Sequence, residues 1–528
     1  MKVSLIKSVM TVGGFTMVSR VTGFVRDVLI ANFLGASLLA DAFFVAFKLP
    51  NLFRSLFAEG AFNVAFVPLF SELMETKGRQ KALDFAKEAF SALFYIVFLF
   101  CAVMEIAMPA VVFLQAPGFV ENPQKMDAAV LMSRITFPYL LLVSLNSLQS
   151  GVLNSAGKFA AAALTPVLLN LTMIASLFAF TPFLGGNYAY ALSCGVTLAG
   201  VFQLLWLVVH TRKEGLPLGL IAPLKIVRNA SAEVGLLLKR VLPGVFGSGI
   251  YQINLFLDTM FVSFLSTGAV SWLYYANRLY QLPVGIIGAA IGTVLLPVLT
   301  RQLKAGDVRE AESNLHKAVL LSVFVSLPAA SGLIALNHPI ISVLFERGAF
   351  DAQAAANTGI ALAAYAAGLP AYILTKTFAP VFYARGDTAT PVKIAACALA
   401  AYIGLCLALL PRLGYVGIAL STAIVAWLNL GQYLYYILKR RLHAFPKTLL
   451  FKIAVVTLAS VIAGVAMYAG YAYSFDFFGD WLHDVLLNRL LILGALSASG
   501  SVVFLTITFL GKAVPLTTLK GMLARHKK

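Results

Sequence analysis

The sequence predicts an all-α polytopic membrane protein of fourteen transmembrane helices, arranged as two parallel six-helix lobes plus two C-terminal helices. Three observations predict it. The 528-residue chain is 60% hydrophobic and only 12% charged, with mean hydropathy +0.88, where soluble domains carry about 25% charged residues. Apolar stretches of bilayer-spanning length, about 20 residues, recur along the whole chain, without the ten-residue alternation of a membrane barrel. The first twelve stretches also read as a duplication of six.

Taken in order, the N-terminus opens on Lys2 and Lys7 and an apolar run that resembles a signal peptide. The run passes Arg20, Gly23 and Arg26 without a small-residue cleavage site, so it reads as a retained first span, 8–33. Spans 39–70, 89–114, 128–153, 159–182 and 187–210 complete an N-terminal lobe, 1–210. A linker at 211–240, too short for a folded domain, precedes a C-terminal lobe, 241–440. Its spans are 241–265, 269–299, 318–345, 353–383, 390–410 and 415–438. The remainder, 441–528, holds spans 453–473 and 486–511 and a tail.

Proline and glycine positions carry the duplication. Pro50 echoes Pro283, Pro68 echoes Pro297, Pro109 and Gly118 echo Pro339 and Gly348, Pro138 echoes Pro370, and Gly157 and Pro166 echo Gly386 and Pro391. The offsets stay between 225 and 233 residues. An even number of spans per repeat preserves orientation, so the halves are parallel and related by an axis along the membrane normal. In such proteins the substrate site lies between the halves, and rocking alternates its access.

The net charge of +18 invites a nucleic-acid reading, but its distribution excludes one. With these spans, 29 of the 40 Lys and Arg fall in one alternate set of loops and tails, and only Lys125, Arg347, Arg412 and Arg489 in the other. This is the positive-inside asymmetry, and it places both termini in the cytoplasm. The four cysteines (Cys101, Cys194, Cys397, Cys406) sit inside apolar spans with no Cys-x-x-Cys pair, and the six histidines have no ligand spacing. No metal or cofactor is expected. There is no Gly-x-x-x-x-Gly-Lys-Ser/Thr phosphate loop, so an ATPase is not expected, and no Gly-x-Ser-x-Gly or His-Glu-x-x-His signature marks an enzyme.

The chemistry lies in the charges inside the spans. Seven cations face five acids there (Asp27, Asp41, Glu59, Glu105, Asp258). An ionised side chain at bilayer depth is costly unless it is paired or faces a water-filled cavity. Pairing leaves cations over, so a cationic cavity for an anion is predicted, lined by Arg20, Arg26, Lys48, Arg54 and Arg278. Arginine's planar fork suits phosphate and carboxylate. Asp27, Asp41 and Glu59 are candidate gating or cavity acids. The competing account is snorkelling to headgroups or structural pairing with those acids.

Helical periodicity puts Arg20 and Asp27 on one face of the first span and Arg26 about 120° away. Both arginines reach one cavity only if the helix bends, with Thr22-Gly23 as the place. In the second span Asp41, Lys48 and Glu59 share a side. In the seventh, Tyr251, Asn254 and Asp258 form a stripe, and Asp258 with Asn254 is a candidate ion site, for sodium or a proton. An ion pair of Asp258 with Arg278 is the structural alternative.

Four motifs carry a family resemblance: SRVTGFVRD, ADAFFVAFKLPNLFRSLFAEGAFNVAFVP, SWLYYANRLYQLP and YARGDTATPVK. They resemble the MurJ (MviN) family of lipid II flippases, within the multidrug/oligosaccharidyl-lipid/polysaccharide exporter superfamily. The resemblance implies translocation of undecaprenyl-diphosphate-linked disaccharide peptide (lipid II) from the cytoplasmic to the periplasmic leaflet of the bacterial inner membrane. It implies that Arg20, Arg26, Arg54 and Arg278 engage the diphosphate or sugar. It also implies that the last two spans cradle the polyprenyl tail. Membrane lipids and other cell-wall synthesis proteins are the expected partners.

Some members carry Asp-Arg and a nearby Glu in the eighth span, where this chain has Asn277-Arg278 and Gln281, so a salt bridge built from those acids is absent here. Some bind sodium with acids beyond span 7, and here only Asp258 is present, with none in spans 11 and 12. Membrane potential is the expected driving force. A cation-coupled multidrug exporter of the same superfamily and a non-transporting cell-wall scaffold remain the alternatives.

Overall fold

The computed structural model describes residues 5–54, 61–225, 231–478 and 486–513. Among them the chain is predominantly helical, without strands. It divides into two compact units. The first is Met1–Ser271 with Arg347–Phe350, and the second is Trp272–Glu346 with Asp351–Lys528.

The first unit comprises α1 (Leu5–Leu34), α2 (Leu38–Arg54), α3 (Ala61–Thr76), α4 (Arg79–Ile106), α5 (Met108–Gln115), α6 (Pro123–Thr136), α7 (Tyr139–Ser155), α8 (Phe159–Ala179), α9 (Tyr188–Lys213) and α10 (Ala232–Ser263). Helix starts are marked locally. The Asn122 side chain accepts from the backbone N–H of Lys125, and Asn187 accepts from Ala189 and Tyr190. These bonds satisfy donors that a helix cannot satisfy itself. His210, Arg212 and Lys213 close α9, where cations complement the helix dipole. Helix α8 packs on α1 and α9, α7 on α9 and α4, α2 on α6, and α3 on α10. Phe43, Phe66, Phe70, Phe119 and Phe137 are fully buried among them.

The second unit takes in most of α11 (Ala269–Pro283), then a π-helical turn (Val284–Gly288), α12 (Ala289–Lys304), α13 (Val308–Ala335), α14 (Asn337–Phe345), α15 (Ala352–Ala366), α16 (Leu369–Tyr383), α17 (Ala389–Leu413), α18 (Tyr415–Lys439), α19 (Lys447–Phe478) and α20 (Leu486–Leu510). Asp307 and Asp351 cap α13 and α15. Helices α19 and α20 pack on each other and on α13 through Val323, Val456, Ala459, Ala463 and Phe504. Most of α20 is exposed, with Leu491, Val502 and Phe509 outward. Lipid is the solvent in which such a face is stable.

One pair of elements recurs in each unit taken alone. Helices of 28 residues, α4 and α13, are each followed by a short helix that opens on a proline turn, Pro109 in α5 and Pro339 in α14. The echoing glycines Gly157 and Gly386 both take left-handed backbone, φ +75° and +76°, which only glycine adopts without strain.

Ten helices among the described residues are long and apolar enough to cross a membrane. Fourteen spans were expected. Segments 8–33, 39–70, 241–265 and 269–299 lie in helices outside those ten. These four carry Arg20, Arg26, Lys48, Arg54, Asp258 and Arg278, and in 39–70 and 269–299 the described helices are only 15 to 17 residues long. The described residues of the 211–240 segment, expected as a linker, bond to helices of the first unit. Tyr95 Oη donates to Ile221 O (3.0 Å), Ile221 N donates to Ser91 Oγ (2.9 Å), and Lys77 pairs with Glu233 (2.8 Å).

Candidate functional site

Helix α1 carries Arg20, Arg26 and Asp27 and runs through Thr22-Gly23, the expected bend, as one helix. Thr22 Oγ1 back-bonds to Val18 O (2.9 Å) and Ser19 O (3.2 Å), which only perturbs a helix mildly. The two arginines therefore keep different faces. Arg20 is exposed and has no ion pair among the described residues.

Arg26 is 4% exposed and Asp27 0%. Arg26 Nε and Nη2 donate to Asp27 Oδ1 at 3.0 and 2.7 Å, and Nη1 donates to Asn170 Oδ1 at 2.9 Å. Asn170 Nδ2 donates back to Ser19 O (3.0 Å), which ties α8 to α1. A guanidinium so engaged is satisfied by the protein itself, whereas Arg20 presents its fork outward.

Asp41, the first acid of α2, is fully buried and is the acceptor of a dense node. Lys125 Nζ donates to its Oδ2 (2.8 Å), as does Gly268 N (2.8 Å). Ser271 N and Oγ donate to Oδ1 at 3.0 and 2.7 Å. Asp41 thus caps the start of α11, with its carboxylate at the positive end of the helix dipole. Lys125 Nζ also sits 4.3 Å from the Phe119 ring centre, which favours the desolvated cation. Sequence reasoning placed Lys125 in a loop and missed this pairing. The available signal was a lysine in the cation-poor loop set, which holds besides it only Arg347, Arg412 and Arg489.

Lys48 is half-buried on α2, and Asp258 of α10 is the carboxylate that acts on it electrostatically. Asn254 lies one turn before Asp258, and its Oδ1 is buried with no partner among the described residues. No group of three or more His, Cys, Asp or Glu suited to a metal occurs among the described residues. Glu59 and the side chain of Tyr251 lie outside the described residues.

Arg54, at the end of α2, lines a cavity of about 400 Å³ inside the first unit, together with Asn63, Asn146, Asn154 and Gln203. Periodicity of single spans did not reveal this cavity, because its wall comes from six helices, α1, α2, α3, α7, α8 and α9.

Arg278 is half-buried on α11, one turn before Gln281, whose Nε2 donates to Asn277 Oδ1 (2.7 Å). The π-helical turn follows at once, a local rearrangement found often at functional sites. Close by on α16, Lys376 lies over the Tyr372 ring at 5.2 Å and against Gly288. Lys376 is a further intramembrane cation of the second unit.

The sequence model of the family described as “Lipid II flippase MurJ” matches residues 30–487. The chain belongs to the MurJ family. A “Probable lipid II flippase MurJ” of Rhizobium tropici is 40% identical over 99% of this chain and 97% of its own. “Lipid II flippase MurJ” of Burkholderia cenocepacia is 36% identical over 90% and 92% of the two chains. Among solved structures, “Lipid II flippase MurJ, inward closed conformation” superposes with TM-score 0.75 at 26% identity, covering 93% of this chain and 98% of that one. An inward-facing multidrug resistance MATE family transporter superposes with TM-score 0.64 at 15% identity over 80% of this chain and 94% of that one, a likeness of fold alone. This member of the MurJ family is therefore a multi-pass membrane protein of transporter fold.

Proposed function

We propose that this MurJ-family protein moves lipid II from the cytoplasmic to the periplasmic leaflet of the bacterial inner membrane, by alternating access through a cationic central cavity. The family match across residues 30–487 carries the reading. The exposed guanidinium of Arg20 supports it chemically, because a planar fork without an internal partner suits a diphosphate. Arg54, Arg278 and Lys48 belong to the same cationic set, and Arg26 with Asp27 supports the helix that presents Arg20. Asp41 and Glu59 are the acids of the gate.

In this reading fourteen spans cross the membrane as two parallel six-helix lobes, 1–210 and 241–440, joined by the 211–240 segment. The two C-terminal helices of 441–528 cradle the polyprenyl tail. Both termini lie in the cytoplasm, in keeping with the positive-inside asymmetry. No cofactor and no ATP are required, and other cell-wall synthesis proteins are its partners.

Membrane potential drives the step. Moving one charge through 100 mV is worth about 2.3 kcal/mol. A diphosphate near charge −2, leaving an inside-negative compartment, gains roughly twice that, while the fixed arginines do not cross. If an ion is coupled as well, Asp258 with Asn254 is where sodium or a proton binds.

The test is depletion of the protein in its own cells, followed by assay of the leaflet that holds lipid II. Inner-leaflet accumulation rescued by wild type and not by Arg20→Ala supports flipping through the cationic set. Normal outer-leaflet lipid II ends the reading.

A further inference from the structure

The cavity inside the first unit differs in chemistry from a simple cation site. Its volume, about 400 Å³, lies within the ~300–1,000 Å³ of small-molecule pockets. Its wall holds one guanidinium, Arg54, and three carboxamides besides Asn146, those of Asn63, Asn154 and Gln203, and among the described residues no carboxylate lines it.

Two of the carboxamides are incompletely used. Asn146 is 4% exposed, and its Nδ2 donates to Gln203 Oε1 (3.3 Å), yet its Oδ1 has no partner among the described residues. Asn63 Nδ2 donates to Ser147 Oγ (2.7 Å), and its Oδ1 is likewise buried without a donor. Gln203 is held in place by its own bond to Thr165 O (2.7 Å). A buried carbonyl without a donor is costly, and protein interiors rarely keep two in one cavity. Both point to a ligand rich in O–H and N–H donors. The ring of Phe159 offers an apolar face beside them.

Carboxamides that exchange paired hydrogen bonds with hydroxyl and acetamido groups, an aromatic face for ring C–H bonds and a lone cation for one acidic oxygen make up a sugar-binding surface. We propose that this intra-lobe pocket receives an acetamido sugar of the lipid-linked substrate, while the diphosphate stays with the exposed cations. The inference rests on the lipid II reading and adds the part of the headgroup that the first unit holds. Asn154 and Phe159, which line the pocket, border the basic loop at Lys158, on the side where the positive-inside rule puts the cytoplasm.

The test measures binding to full-length protein in nanodiscs, with three probes: lipid II, the same lipid lacking its peptide, and bare polyprenyl diphosphate. Asn146→Ala and Asn154→Leu are compared with wild type. A thermal melt confirms that each is folded, and Asn154→Leu keeps the comparison alive should Asn146→Ala unfold, because the Asn154 side chain has no hydrogen bond among the described residues. The expected result is a loss of about tenfold for both sugar-bearing lipids and none for bare polyprenyl diphosphate. Equal loss for all three lipids, no loss for any, or a loss that vanishes when the peptide is removed overturns the sugar assignment while wild-type binding of lipid II stands. Wild type that holds lipid II no better than a zwitterionic phospholipid overturns the lipid II reading, and this inference with it.

Discussion

Arg20 and Arg26 are six residues apart and do different work. Arg26 is buried and bound on both sides, so Arg26→Ala takes from the buried Asp27 carboxylate the two bonds that Arg26 donates to its Oδ1. Breaking such a pair costs about 3–5 kcal/mol, and a detergent melt of Arg26→Ala is expected to fall accordingly. Arg20→Ala removes an exposed side chain, so its stability is expected to stay within about 0.5 kcal/mol of wild type while leaflet transfer is lost. Equal melting losses for the two would sink this division.

The Asp41 node makes a second contrast. Asp41→Asn leaves the Lys125 ammonium buried beside a neutral partner and is expected to destabilise strongly. The double variant Asp41→Leu with Lys125→Met removes both charges and is expected to cost less than the sum of the two single changes, as a double-mutant cycle would read. It does not restore wild-type stability, because the N–H groups of Gly268 and Ser271 lose their acceptor. The intramembrane charges themselves were legible as residues in the sequence. Their partners were not, because Asn170 and Lys125 approach from 144 and 84 positions away.

At the scale of elements, the turn between α16 and α17 shows why the YARGDTATPVK motif exists. Asp387 accepts from Thr390 N (2.9 Å), from Thr390 Oγ1 (2.7 Å) and from Arg440 Nη1 (2.6 Å). These bonds hold its carboxyl down to about 2. Arg385 Nη2 donates to Leu442 O (3.2 Å), so the motif clasps the segment that follows α18. Within that segment His443 is 4% exposed, with His316 at 4.5 Å and Phe445 at 5.0 Å between ring centres.

Burial first, then the neighbouring His316 and Arg385, lower the His443 imidazole from 6.5 to about 4. The unfolded chain therefore binds this proton more readily than the folded one. Its contribution is neutral above about pH 6.5, falls as pH drops from there to about 4, and is level below. Thermal melts across that window are expected to show the slope in wild type and a shallower one in His443→Leu. The Asp387 clasp acts in a lower window, lost only as pH falls from the carboxylate range toward 2. The proline and glycine echoes were readable from spacing along the chain because turns demand those residues. The clasp was not, since it joins side chains 53 positions apart.

For the whole molecule, the four helical segments outside the ten candidate spans carry Arg20, Arg26, Asp27, Asp41, Lys48, Arg54, Asp258 and Arg278, while Lys376 lies in one of the ten. On the lipid II reading proposed above, charges at bilayer depth serve a charged headgroup. The consequence for energetics is testable in proteoliposomes. Lipid II transfer is expected to accelerate with an inside-negative potential and to slow when the potential is collapsed, and an unchanged rate would remove the potential as driver.

By itself the sequence determined the class of the protein, its helical character and the presence of cations in spans where lipid disfavours them. Each of these is a local property, set by composition and by spacing along one helix. Only the tertiary structure decided which of those cations is satisfied internally, which acid Lys125 answers, and that a polar cavity lies within the first unit. Pairing and enclosure are made by side chains from helices distant in sequence, and the periodicity of a single helix carries no record of its neighbours.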